Sequence, residues 1–293
     1  MAEDRDWQGT TDGTTWMHRS IIRLMRLLPL RFFYCFFAVF VVPFYILFAK
    51  GYRPMYHYFN KRLGYSSVKS FVFVYRNYRR FSQVIIDRFY MISGGRFEFE
   101  VENYHLYQEL ADEEPGFMIL NAHVGNYELA GYTLVADKKR FNVLVFDGET
   151  ESVTENRNKM FAGTNIRMIP VRNDMSHLFA LSNALENGES VSFPSDRVLR
   201  GQRTIECPFM GAPAQFPLGP FALAVQRDIA VLCVNVMKVS AKKYKVYVSK
   251  LQKEGDSKKE QMASLARQFV GHLEDVLKQY PEQWFNYYEF WND

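Results

Sequence analysis

The stretch MILNAHVGNYELAGY, residues 118–132, sets a histidine, His123, five positions before an acid, Glu128, at the end of an apolar run. An imidazole with a carboxylate on one ring nitrogen is held in one tautomer and its charged form is supported. The other nitrogen can then take a proton, which is the chemistry of a general base. Inside a single helix, five residues would turn the two side chains about 140° apart. If GFMIL is a buried strand and YELAGYTLVA a helix, His123 instead falls in the strand-to-helix turn and Glu128 in the first helical turn, where the two can face each other. Gly125 permits the tight turn and Asn126 suits an N-cap. Taken alone, the pair is equally compatible with a structural histidine.

The elements that must position this turn can be read from the alternation of short apolar runs with polar helical windows beyond Gly94 and Gly95. FEFEV, GFMILNA, NVLVF, IRMIPV, ESVSF, AVLCVNV and KVYVS read as strands. Helices are expected after Asn103, Asn126, Glu151, Asp174, Leu218 and Asp256. The pattern predicts an α/β fold with a mixed, mostly parallel central sheet flanked by helices. Three regions follow: a polar, disordered leader over 1–18, a membrane-associated basic and apolar helical region over 19–95, and the catalytic α/β domain over 96–293.

The net charge of +4 conceals an asymmetry. From Arg19 to Arg96 the chain carries 14 Lys or Arg and a single acid, Asp87, whereas residues 97–293 carry 21 basic and 27 acidic residues. The same N-terminal third holds 18 uncharged residues from Phe32 to Ala49. At about 1.5 Å per residue such a run approaches the thickness of a bilayer core, although Pro43 must bend it. Basic residues flank it on both sides, so charge bias sets no orientation, and a segment lying against anionic lipid is an alternative to a span. The basic face is therefore expected to meet a membrane and not nucleic acid. Cys35, Cys207 and Cys233 lie far apart and suit a reduced compartment. The serine-hydrolase elbow, the H-E-x-x-H zinc motif, the P-loop and the dinucleotide fingerprint are all missing from the sequence. No metal is expected.

A histidine followed after four residues by an acid resembles the first motif of the glycerolipid and lysophospholipid acyltransferase superfamily. Further segments resemble its later motifs in order: GTNIRMIPVRND, with an arginine at Arg172; VSFPSDR, with Asp196 and Arg197; and CPFMGAPAQFPLGPFALAV. HVGNYE, PSDR, PFMGAPAQFPLGP and the C-terminal YPEQWFNYYEFW look most like the bacterial late acyltransferases of lipid A biosynthesis. The resemblance implies transfer of a fatty acyl chain from a thioester of acyl carrier protein or coenzyme A to a hydroxyl of a lipid acceptor, with a lipid A precursor as the expected one. It implies no cofactor beyond the thioester co-substrate, and a catalytic domain on the cytoplasmic face of a bacterial inner membrane. His123 would be the general base and Glu128 its orienting acid. Arg172, Asp196, Arg197 and Asn126 would contact substrate, with solvated ion pairs as the alternative for the two arginines. A glycerophospholipid or aminolipid acceptor, and a membrane-bound pseudoenzyme docking an acyl carrier, are the competing readings.

Overall fold

The computed structural model describes residues 15–134, 139–146, 164–171, 176–198 and 201–291. Seven strands form one sheet: β1 (Glu98–Glu102), β2 (Phe117–Asn121), β3 (Phe141–Phe146), β4 (Ile166–Val171), β5 (Ser190–Pro194), β8 (Ala230–Lys238) and β9 (Lys243–Leu251). Their order is β1-β9-β8-β2-β5-β3-β4, and every pairing is parallel except β8 with β9. The mostly parallel sheet and each of the seven expected strands are thus present. A separate antiparallel hairpin, β6 (Thr204–Phe209) with β7 (Ala212–Pro217), was not expected from the sequence. β2 is buried along its whole length, as an apolar strand covered on both faces must be.

The flanking helices in this domain are α6 (Tyr104–Asp112), the short α7 (Ala130–Thr133), α8 (Ser176–Glu186), α9 (Gly219–Gln226) and α10 (Lys258–Gln279). A capping box starts α10: Ser257 accepts from the Glu260 amide, and the Glu260 carboxylate accepts from the Ser257 amide. The helix expected after Glu151 lies outside the described residues, as does the leader before residue 15.

The N-terminal region contains α1 (Thr15–Met25), α2 (Leu30–Phe36), α3 (Val42–Ile46), α4 (Tyr52–His57) and the long α5 (Ser67–Ile92), with π-helical turns at Phe37–Val41 and Tyr58–Arg62. Ser66 caps α5 by accepting from the Lys69 amide. The apolar run from Phe32 stays helical as far as Ile46, with a π-helical turn at Phe37–Val41. Among the described residues no helix is long and apolar enough to cross a membrane. One side of the run packs on α5, where the Tyr75 hydroxyl donates to the Ala38 carbonyl at 2.9 Å and Tyr45 packs on Tyr78. The other side exposes Phe40, Phe44, Leu47 and Phe48, and Val68 and Phe71 at the start of α5 are exposed as well. Phe40 and Phe48 are 65% and 73% exposed. An apolar surface of this extent is more than isolated exposed residues on a soluble protein would give.

Charged groups fasten α5 to the sheet. Asp87 on α5 and Lys238 on β8 are both fully buried and 2.5 Å apart, and the Tyr34 and Tyr244 hydroxyls donate to the same carboxylate. Burial of an ion pair is tolerated when further hydrogen bonds satisfy both charges, as the two tyrosines do here.

Candidate active site

The site is built where β2 and β5 end side by side. Their register sets Asn121 opposite Pro194, and the Ser195 amide extends the pairing by donating to the Asn121 carbonyl at 2.8 Å. The next residues on the two strands, Ala122–His123 and Asp196–Arg197, are therefore brought together at the carboxyl end of the sheet, where open α/β folds place their ligands. His123 Nδ1 lies 2.7 Å from Asp196 Oδ1, and the His123 amide donates to Asp196 Oδ2 at 3.0 Å. One carboxylate thus fixes both the ring and the backbone of the histidine. It also fixes the tautomer, because an ionised carboxylate only accepts, so the Nδ1 proton stays and Nε2 keeps its lone pair.

The acid on the imidazole is Asp196, which corrects the expectation that Glu128 orients His123. Glu128 instead pairs with Arg88 of α5, Nε to Oε2 at 3.0 Å, and acts on His123 only as a more distant negative charge. The reason lies in the turn. Residues Tyr127–Leu129 form a single 3-10 turn in place of the first turn of a regular helix, and Asn126 precedes it without a side-chain cap bond. The Asn126 side chain is buried and donates to the Tyr244 hydroxyl at 3.3 Å. Gly125 adopts φ +53, and a Cβ there would stand 2.0 Å from the Val236 carbonyl oxygen, so no other residue fits.

Electrostatics leave His123 a base. Burial first, then the Arg197 guanidinium, push its pKa below the usual histidine value, against the opposing pull of Asp196. Burial pushes the Asp196 carboxyl up, but His123 and Arg197 outweigh it and hold the group below the ordinary carboxylate range. At neutral pH the pair is a neutral imidazole on an ionised acid.

His123 lines a cavity of about 650 Å³. Asn121, Tyr127, Glu128 and Arg197 line it too, and Val143, Ile166, Met168, Phe193 and Leu223 make much of its wall apolar, with Ser182, Gln226 and Arg227 among its further polar groups. The space lies between β3, β4, α8 and α9 and has the size and lining of a site for a largely apolar ligand. Arg197 both lines the cavity and donates from Nη2 to the Phe285 carbonyl at 2.8 Å. Arg172 lies outside the described residues.

The backbone amides near Gly125 are already used. Gly125 donates to the Gln283 carbonyl at 2.8 Å and Asn126 to the Val236 carbonyl at 2.8 Å. They are not open donors for a developing negative charge, and the cation next to the imidazole is Arg197. Sequence reasoning missed three contributors to this site: the Asp196–His123 contact, Arg88, and residues 283–285. For the first a signal existed, since PSDR directly follows a buried strand that can lie beside the strand leading to His123.

Residues 72–292 match the family described as bacterial lipid A biosynthesis acyltransferase. Among curated proteins none matches this chain. Among solved structures, the chain is similar to the 1-acyl-sn-glycerophosphate (LPA) acyltransferase PlsC from Thermotoga maritima, at 14% identity and a TM-score of 0.40, over 89% of this chain and 98% of that one.

Proposed function

Because the chain belongs to the bacterial lipid A biosynthesis acyltransferase family, we propose that it transfers a fatty acyl chain from an acyl thioester to a hydroxyl of a lipid A precursor, with His123 as general base and Asp196 as the acid that orients it. The observation that carries this reading is the His123–Asp196 pair, with His123 lining a largely apolar cavity. His123 Nε2 takes the proton of the acceptor hydroxyl, and the oxygen attacks the thioester carbonyl held at the cavity mouth. The resulting oxyanion is stabilised by the Arg197 charge. Its collapse re-forms the carbonyl and breaks the carbon–sulfur bond, and the leaving thiolate takes the proton from the imidazolium. The acyl chain lies along the apolar wall.

The exposed face around Phe40, Phe44 and Phe48, beside a region rich in arginine, supports docking on the cytoplasmic face of the inner membrane. Each basic residue near an anionic leaflet adds roughly 1 kcal/mol to the apolar insertion. Protein recovered in the membrane fraction after a high-salt wash and released by detergent supports this placement. Full-length protein found mainly in the soluble fraction at low salt refutes it.

His123→Ala should lower transfer from acyl carrier protein or coenzyme A thioesters by about 10²- to 10⁴-fold. Near-parental turnover would remove the mechanism. Lipid mass spectrometry of a deletion strain identifies the acceptor. A lipid A species lighter by one acyl chain supports the reading, and a lighter glycerophospholipid or aminolipid replaces it.

A further inference from the structure

The catalytic turn is held from outside by a short strap near the C-terminus, residues 282–285. Val124 and Trp284 form an antiparallel bridge, the Phe285 amide donates to the His123 carbonyl at 3.0 Å, and the Gly125 amide donates to the Gln283 carbonyl at 2.8 Å. Pro281–Gln283 make a 3-10 turn that runs into an extended Trp284, and the carbonyls of residues 282–285 point to different sides. Those of Gln283 and Phe285 face the turn and Arg197, and those of Glu282 and Trp284 face α5. There a single side chain takes both: Asn77 Nδ2 donates to the Glu282 carbonyl at 3.2 Å and to the Trp284 carbonyl at 2.7 Å. Asn77 is fully buried, and its Oδ1 has no hydrogen-bond partner among the described residues. A buried amide that spends both hydrogens on one strap and leaves its acceptor unmatched is present as a donor, since an unpaired buried oxygen is otherwise a cost.

The strap is fixed at further points. Gln283 brackets Lys238 like a strand partner, accepting from its amide and donating to its carbonyl, both at 2.9 Å. The Glu282 carboxylate pairs with Arg76 at 3.1 Å and Arg80 at 3.7 Å, and the Trp284 ring is buried against Tyr58 and Phe209. On the same face of α5, four and eleven residues after Asn77, Phe81 packs on Phe285 and Arg88 pairs with Glu128.

We infer that Asn77 is a positioning residue for the proposed acyl transfer: through the strap it sets the backbone of His123, and with it the aim of the imidazole against Asp196. This rests on the general-base reading of His123. It assigns a role in the site to a helix that precedes every motif carrying the chemistry.

The test uses the full chain and three variants, Asn77→Ala, the milder Asn77→Ser, which keeps one short donor, and Gln283→Met, which loosens the strap from the other side. The readouts are steady-state transfer from an acyl-coenzyme A donor, the thermal midpoint, and the far-downfield proton resonance of an imidazole Nδ1–H bonded to a carboxylate, assigned by its loss in His123→Ala. Because misplacement by about 1 Å costs about 10²-fold, Asn77→Ala should lose roughly 10- to 100-fold in kcat with little change in KM for the donor. The resonance should shift or broaden while unfolding remains cooperative, and Asn77→Ser should fall between. If Asn77→Ala does not fold, the same pattern is expected in Asn77→Ser and Gln283→Met. An unshifted resonance with parental kcat in the folded variants overturns the inference. So does a kcat loss that only tracks the unfolded fraction. The resonance reads the dyad and not the reaction, so a wrong donor or acceptor leaves it in place and fails separately, in the His123→Ala assay.

Discussion

Asp196→Asn separates the two acids of the site by changing one atom. The parent carboxylate serves His123 twice, Oδ1 to Nδ1 at 2.7 Å and Oδ2 to the amide at 3.0 Å. The amide side chain has only one oxygen. If that oxygen stays on the His123 N–H, the new NH₂ faces Nδ1, which must become an acceptor; the ring proton moves to Nε2 and the lone pair needed by the hydroxyl is lost. If the oxygen turns to Nδ1–H, two donors meet at the backbone. Either arrangement sacrifices a buried hydrogen bond, about 1 to 3 kcal/mol, and removes a charge-assisted bond to the imidazolium, about 1.5 to 3 kcal/mol. Together these give roughly 3 to 6 kcal/mol, or about 10²- to 10⁴-fold at 1.36 kcal/mol per decade. Thiol release from an acyl thioester, measured against donor concentration, should show kcat and kcat/KM falling together, as for an interaction used in the transition state. Glu128→Gln, whose parent acid pairs with Arg88, should lose about tenfold or less by the same measure. The reasoning fails if Asp196→Asn stays within tenfold of the parent while Glu128→Gln falls a hundredfold.

Four more outcomes follow from the structure. Burial and Arg197 depress the His123 pKa, so transfer should rise through an acid limb below the ordinary histidine value of 6.5 and level off above it; a limb above that value in the pH–rate profile contradicts the assignment. The sign for stability is the same: His123 and Asp196 both have depressed folded pKa values, the unfolded chain binds more protons, and thermal midpoints should drop as pH falls through this range. Ala222→Phe intrudes on the cavity wall and should shift donor preference to shorter chains, with about 0.8 kcal/mol lost per methylene displaced; competition between two chain lengths reads this. Asp87→Asn or Lys238→Met alone strands a buried partner and should destabilise by about 3 to 5 kcal/mol in denaturant titrations, whereas an Asp87→Leu/Lys238→Met double variant should recover only part of the loss, because the Tyr34 and Tyr244 hydroxyls lose their acceptor.

The strands were legible because each is an apolar run bounded by turn residues, and β2 and β5 needed no tertiary information to be found. Which acid meets His123 was not, because that depends on the sheet order. Glu128 is five residues away in sequence and Asp196 is 73, yet β5 lies directly beside β2. Periodicity found α5 but not its job, since Asn77 in a basic helix gives no sign that it will meet the backbone of residues 282 and 284. The β6–β7 hairpin was hidden by three prolines, Pro208, Pro213 and Pro217, which argue against strands by local rule, although a two-stranded ribbon leaves edge positions where they fit. The uninterrupted apolar composition of Phe32–Ala49 likewise masked the π-helical turn within it.

The strap also sets an order of events during synthesis. The apolar face around Phe40 and the start of α5 leave the ribosome long before residues 282–285, so the surface proposed to meet the bilayer is available well before the catalytic turn has its last hydrogen bonds. Contacts that join residue 77 to 284 and residue 123 to 285 close very long loops, which chains form late. A nascent chain can therefore reach the membrane while its histidine is still unaimed. Under the proposed function, transfer becomes possible only once residues 282–285 have been made and have closed onto the His123 turn.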